Sequence, residues 1–225
     1  MGDFTGKVVL VTGAGRGAGR ALAEAFAARG ALVAANDISP VNLNTLVEQI
    51  KKSEGQVRAY VEDVAKKVAV QTIVNRVLDD WGQIDILVNS ANVEPHFPFL
   101  DIDEWDWHRA IDVNLTGAFL MMQSVGRVMR QQGNGGIVNI TPLAGRPELP
   151  DRAAYIASKM GLIGLTRQAA PELSSYGIRV HAVCTGMPGC HQSEVPGPTN
   201  IVEAVLYLCS ASASRLNGQI INIPV

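Results

Sequence analysis

The sequence contains little cysteine and carries almost no net charge. Its three cysteines, Cys184, Cys190 and Cys209, are odd in number and irregularly spaced, which predicts reduced thiols in a cytoplasmic protein. Their spacing, even with His191 beside Cys190, matches no zinc pattern, so we predict no metal site. A formal net charge of −2 and a pI of about 6.1 argue against a nucleic-acid partner.

The sequence also lacks long hydrophobic runs and a recognisable leader. No apolar run approaches the roughly 20 residues that a membrane-spanning helix needs. Residues 1–7 lack a basic region followed by an apolar stretch, so we expect neither secretion nor a membrane partner. The 225 residues are 47% hydrophobic, which favours one globular domain, 1–225, with a large core.

Apolar runs alternate with helical patterns along the whole chain. The runs lack polar alternation, which is typical of strands covered on both faces; they are 7–12, 31–36, 56–61, 84–89, 136–141, 178–183 and 219–223. The helical patterns between them are 18–29, 41–53, 66–81, 103–132, 153–175 and 199–210, with Pro171 expected to kink the fifth. This order predicts an α/β fold with a doubly wound parallel sheet.

A glycine-rich turn separates the first predicted strand from the first predicted helix. Such a turn brings the backbone close to a pyrophosphate, and the helix N-terminus offers unpaired N–H groups and a positive dipole. An acid at the end of the second strand can accept hydrogen bonds from a ribose. The pattern therefore predicts a dinucleotide site formed by Gly13, Arg16, Gly17, Ala18, Gly19 and Asp37.

Tyr155 and Lys159 are four residues apart in a predicted helix, which places both on one face. A nearby cation favours the phenolate, so we expect a lowered pKa for Tyr155 and proton exchange with a substrate oxygen. A tyrosine and a lysine at this spacing, taken alone, also occur on ordinary exposed helix faces.

Together these segments resemble the short-chain dehydrogenase/reductase family over nearly the whole chain. Thr12-Gly13 with Gly17 and Gly19 resembles the family's cofactor turn. The other motifs that carry the resemblance are the pair Asp63-Val64, the altered segment Asn89-Ser90-Ala91-Asn92, the relay residue Asn114, and the pair Tyr155 and Lys159. Thr185-Gly186 stands where the family has Pro-Gly and is a departure from its pattern.

The resemblance implies a Rossmann-like single domain of about seven strands, with helices on both faces. It implies hydride transfer between a nicotinamide cofactor and a small carbonyl or alcohol substrate. Tyr155 is implied as the acid/base, Lys159 as its partner and as a ligand of the nicotinamide ribose, and Asn114 as the holder of a relay water. The cofactor contacts it implies also include Asp63, Val64, Asn89, Ala91 and Gly186.

Asp37 favours NAD(H), because its charge would repel a 2′-phosphate, whereas Arg16 is of the kind that helps NADP(H) binding. The resemblance also implies a homodimer or homotetramer packed through helices 103–132 and 153–175.

The chain departs from the family pattern at the active-site serine, whose position is held by Pro142. Proline offers no hydroxyl, and loss of one donor to a developing oxyanion costs about 100- to 1000-fold in rate. Thr141 would replace it only if Pro142 bends the strand end, since neighbouring strand side chains point to opposite faces. The substrate loop, 187–198, is also short, and Ser90 and Asn92 alter the segment after the fourth strand.

Two functions remain open at this stage. The first is an NAD-dependent oxidoreductase. The second is a dinucleotide-binding protein with weak or lost catalysis, a sensor or a partner subunit, which Pro142 and the short loop suggest. The presence of Tyr155, Lys159 and Asn114 favours the enzyme.

Overall fold

A computed structural model describes residues 3–142, 150–185 and 200–223. Seven strands form one parallel sheet in the order β3-β2-β1-β4-β5-β6-β7. The strands are β1 (Val8–Thr12), β2 (Leu32–Asp37), β3 (Gln56–Val61), β4 (Ile86–Asn89), β5 (Gly135–Pro142), β6 (Ile178–Thr185) and β7 (Ile220–Ile223). The α/β prediction is confirmed, because each predicted apolar run overlaps one of these strands.

Within these described ranges, seven α-helices connect and cover the sheet. They are α1 (Gly17–Ala27), α2 (Pro40–Lys52), α3 (Lys67–Trp81), α4 (Glu104–Ile111), α5 (Gly117–Gln132), α6 (Ala153–Ser174) and α7 (Ile201–Cys209). A short 3₁₀ turn, Ala211–Ala213, follows α7. Helix α6 continues through Pro171 to Ser174.

The predicted helix 103–132 is not one regular α-helix. A π-helical turn, Asp112–Thr116, separates α4 from α5. Such turns are rare and recur at functional sites, and this one contains Asn114.

Two apolar layers bury the faces of the sheet. Helices α1, α2 and α7 pack on one face through residues such as Phe26, Leu46 and Val205. Helices α3, α5 and α6 cover the other face, with Ile73 and Met121 among the fully buried side chains. Strand order reverses between β1 and β4, which opens a crevice at the carboxyl ends of these two strands, the usual ligand position in such sheets.

Candidate active site

The glycine-rich turn lies at this crevice and leads directly into α1. Gly13 has φ +64°, and a Cβ there would lie 2.6 Å from the Cα of Ala91. A Cβ on Gly19 would collide with the carbonyl oxygen of Gly13. Only glycine fits either position, so β1, β4 and α1 meet at backbone contact.

The N-terminus of α1 is suited to an anion. Arg16 precedes the helix with an extended backbone and an exposed side chain, and no side chain caps the helix. The first N–H groups, beginning at Gly17 and Ala18, therefore have no side-chain cap, and the helix dipole favours negative charge there.

Asp37 ends β2 beside the same turn. Its Oδ2 accepts a hydrogen bond from the Gly15 N–H at 2.9 Å, and its Oδ1 accepts one from the Ser39 N–H at 2.9 Å. These two backbone bonds fix the carboxylate at the edge of the anion site, where a ribose would follow a pyrophosphate.

The ends of β1 and β4 are tied together by a buried hydroxyl. Thr12 Oγ1 accepts hydrogen bonds from the N–H groups of Ser90 and Ala91 at 3.1 and 3.2 Å. Asn89 donates to Asn139 Oδ1 at 2.9 Å. Among the described residues, the buried Oδ1 atoms of Asn89 and Asn92 have no hydrogen-bond partner. Unpaired buried acceptors are costly, so the crevice fits a ligand that supplies donors.

Four of the predicted residues line one cleft together with Thr12. These are Val64, Asn89, Ala91 and Asn114. Asp63 lies just outside it, where its Oδ1 accepts a hydrogen bond from the Ala65 N–H at 3.0 Å. The fold therefore brings the residues after β1, β3 and β4 to one place, as a dinucleotide site requires.

Asn114 connects the crevice to α6. Its Oδ1 accepts from the Val93 N–H and its Nδ2 donates to the Val93 carbonyl, both at 2.8 Å. Nδ2 also donates to Ser158 Oγ at 3.0 Å, and Ser158 Oγ donates to the Tyr155 carbonyl at 2.7 Å. Both Nδ2 hydrogens of Asn114 are thus used within the protein, and Oδ1 accepts one of the two hydrogen bonds that it can take.

Tyr155 and Lys159 lie on one face of α6, as their spacing predicts. Both are almost fully buried, and Lys159 Nζ is 5.8 Å from the centre of the Tyr155 ring. Nζ also reaches the Ile140 carbonyl at 3.5 Å, so the lysine bridges α6 to the end of β5.

The expected lowering of the tyrosine pKa is wrong in this structure. Burial and the negative charge of Glu94 raise the pKa of the Tyr155 phenol, while Arg152 opposes them. Burial also lowers the pKa of Lys159 to about 7. The effect of burial on Tyr155 therefore outweighs that of the neighbouring lysine, whose own charged form is disfavoured by burial.

The position of the family serine offers no hydroxyl, and Thr141 does not replace it. Strand β5 continues through Pro142, which pairs with Thr185 of β6. The Thr141 hydroxyl is fully buried and contacts Cys184 Sγ at 2.8 Å. The strand end is therefore regular, and the threonine hydroxyl is used between β5 and β6.

Two residues near Tyr155 were missed by sequence reasoning. Arg152 Nη1 lies 2.6 Å from Glu94 Oε1 and forms an ion pair with it. Arg152 lies three residues before Tyr155, a spacing that hinted at a shared helix face. No sequence signal pairs it with Glu94, because that contact depends on the tertiary fold.

Some predicted positions lie outside the described residues. These are Gly186, the shortened loop 187–198, Cys190 and His191. Within the described ranges, no three histidine, cysteine or acidic side chains come together as a metal site. The helices of these ranges include none with the length and apolarity to cross a membrane.

Comparison with known proteins gives a consistent picture. The model of the short chain dehydrogenase family matches residues 7–195. The chain is 36% identical to the 3-oxoacyl-[acyl-carrier-protein] reductase of Thermotoga maritima, over 97% of this chain and 96% of that relative. It is 36% identical to the D-threitol dehydrogenase of Mycolicibacterium smegmatis, over 95% and 89% of the two chains.

A solved structure of similar shape is that of NAD⁺-bound xylitol dehydrogenase. It superposes with a TM-score of 0.88 at 32% identity, and the match covers 98% of both chains.

Proposed function

The chain belongs to the short-chain dehydrogenase/reductase family and is an oxidoreductase of that type, and from that premise we propose that it transfers hydride between NAD(H) and a small carbonyl or alcohol substrate through Tyr155. The observation that carries the proposal is that Tyr155 and Lys159 lie buried side by side on α6, the helix that Asn114 ties to the crevice through Ser158.

Tyr155 acts as the general acid in carbonyl reduction. A bound reduced nicotinamide supplies the hydride. The raised pKa of the Tyr155 phenol keeps its proton at neutral pH, so the hydroxyl donates this proton to the substrate oxygen as charge develops there. In the opposite direction the phenolate removes the proton of the alcohol.

Lys159 and Asn114 support this proton transfer. The Lys159 ammonium, buried under the tyrosine ring, stabilises the phenolate and holds the nicotinamide ribose. Asn114 fixes the loop after β4 against helix α6 through its hydrogen bonds with Val93 and Ser158. The π-helical turn that contains Asn114 holds the relay water.

We assign the cofactor contacts to the residues of the crevice. Asp37 binds the adenosine ribose, and Asp63 and Val64 contact the adenine base. The pyrophosphate binds at Gly13, Arg16, Gly17, Ala18 and Gly19, and the nicotinamide half contacts Asn89, Ala91 and Gly186. Asp37 favours NAD(H), because a second negative charge at its fixed carboxylate would be repelled.

We further propose that one domain, 1–225, which includes the shortened substrate loop 187–198, carries both cofactor and substrate. The small number and irregular spacing of the cysteines support a cytoplasmic location.

Self-association is the remaining part of the proposal. A largely apolar groove of about 330 Å³ runs between α5 and α6, where Phe119 and Tyr176 are exposed. A second copy of the chain would cover it and form a homodimer or homotetramer.

The test is NADH oxidation, followed at 340 nm with a panel of ketones and aldehydes, by the parent protein and by Pro142→Ser. We expect slow turnover by the parent and at least tenfold faster turnover by Pro142→Ser, because the serine restores a donor to the substrate oxygen. NADPH in place of NADH should be the poorer cofactor. NADH binding without turnover in either protein would contradict the proposal and favour a dinucleotide-binding protein.

A further inference from the structure

An ion pair joins the loop after β4 to the start of α6, next to Tyr155. Arg152 Nη1 forms an ion pair with Glu94 Oε1 at 2.6 Å, and the two side chains are 26% and 31% exposed. The pair is therefore mostly withdrawn from water but keeps an open side.

The backbone around the pair is fixed at several points. Asn114 holds Val93 through both its N–H and its carbonyl. The Phe97 N–H donates to the Asp151 carbonyl at 2.8 Å, and the Ile156 N–H donates to the Arg152 carbonyl at 2.9 Å. A charged pair held in this way is preorganised for recognition, because little conformational entropy remains to be lost on binding.

The charges of the pair reach the reacting residues. Glu94 raises the pKa of both Tyr155 and Lys159, and Arg152 lowers the pKa of Tyr155. Arg152 directly precedes the first turn of α6, three positions before Tyr155, and Asn114 ties the loop of Glu94 to the same helix. A substrate bound through its oxygen to Tyr155 therefore has this pair as a neighbour.

The pair offers an acceptor and donors side by side. Glu94 contacts Arg152 and, at 3.6 Å, His96. Across residues 3–142, 150–185 and 200–223, both contacts are made by its Oε1 atom. Oε2 is thus left to accept another hydrogen bond, while the guanidinium has five N–H groups to donate. A hydroxyl group, which donates and accepts, matches both halves.

We propose that Glu94 and Arg152 recognise a hydroxyl group on the carbon next to the reacting carbon, so that the substrate is a neutral polyhydroxy alcohol or the corresponding hydroxy ketone. The inference rests on the proposed reaction at Tyr155. An anionic substrate is repelled by Glu94, and its attraction to Arg152 competes with an existing ion pair. An apolar substrate would desolvate the pair without replacing the bonds to water.

The experiment compares two ligands that differ by one hydroxyl, 2,3-butanediol and 2-butanol. Their affinities for the complex of the protein with NADH are measured by the fluorescence of the bound cofactor. An alcohol and NADH are both already reduced and do not react, so the titration reports binding alone. The proteins are the parent, Glu94→Ala, Glu94→Gln and the matched control Glu104→Ala. Glu104 is 90% exposed on α4, and melting curves establish that each variant is folded.

We expect the parent and Glu104→Ala to bind the diol at least tenfold more tightly than 2-butanol, and the Glu94 variants to lose most of that preference. Equal affinities in the parent, or an unchanged preference in folded Glu94 variants, would overturn the inference and leave the pair as a clamp between two segments. Glu94-dependent diol binding without NAD⁺-dependent oxidation of the diol would confirm recognition and contradict the proposed reaction instead.

Discussion

At the scale of single residues, Lys159 is a charged group whose burial costs stability. It is 1% exposed, and burial lowers the pKa of its ammonium from 10.5 to about 7. The unfolded chain therefore binds more protons than the folded protein between pH 7 and 10.5, and stability rises with pH in that window.

This shift predicts the behaviour of Lys159→Met in chemical unfolding. The free energy of unfolding of the parent should rise by up to about 1.4 kcal/mol per pH unit between pH 7 and 8.5. Lys159→Met should be more stable than the parent at pH 7, and its free energy of unfolding should change less with pH. The variant should also be inactive. Parallel pH profiles for the two proteins would show that Lys159 carries no such cost.

At the scale of structural elements, the turn between β1 and α1 determines the cofactor site. Its glycines allow the backbones of β1, β4 and α1 to touch, and the uncapped start of α1 follows at once. The sequence predicted this turn because glycine spacing is a local signal.

Gly19→Ala is the test at this scale. The added methyl group would collide with the Gly13 carbonyl, so the turn must open. We expect the affinity for NADH, measured by fluorescence titration, to fall at least tenfold and stability to fall by roughly 1–3 kcal/mol. Gly164→Ala, where a Cβ meets open space, should keep its NADH affinity; unchanged binding by Gly19→Ala would contradict the assignment.

The π-helical turn between α4 and α5 is a feature that local sequence signals did not predict. The pattern 103–132 predicted continuous helix, and the apolar spacing fits that well. In this turn, Asn114 forms hydrogen bonds with Val93 and Ser158. These residues are 21 and 44 positions away in the sequence, so the apolar periodicity of the segment does not indicate the turn.

At the scale of the whole molecule, the strands and helices were predictable and the electrostatics were not. Apolar runs and glycine turns located all seven strands of the described sheet. The direction of the Tyr155 pKa was predicted wrongly, because it depends on burial and on Glu94, which lies 61 positions away. Burial and long-range pairing are properties of the fold, which spacing does not encode.

The groove between α5 and α6 makes a prediction about assembly. Phe119 is 42% exposed at its edge, so Phe119→Arg would leave the monomer folded but place charge in an apolar interface. Light scattering should show a multimer for the parent and for the control Val68→Arg, an exposed position on α3, and a smaller species for Phe119→Arg. A monomeric parent would contradict the proposed assembly.

The most direct test of the account is hydride transfer by Tyr155→Phe, with Tyr207→Phe as the matched control. Tyr207 is 45% exposed on α7, far in sequence from the site. With a substrate that the parent reduces, we expect Tyr155→Phe to lose at least 1000-fold in kcat and to bind NADH normally, and Tyr207→Phe to match the parent. Turnover by Tyr155→Phe equal to that of the parent would contradict the assignment of this tyrosine as the acid and base of the reaction.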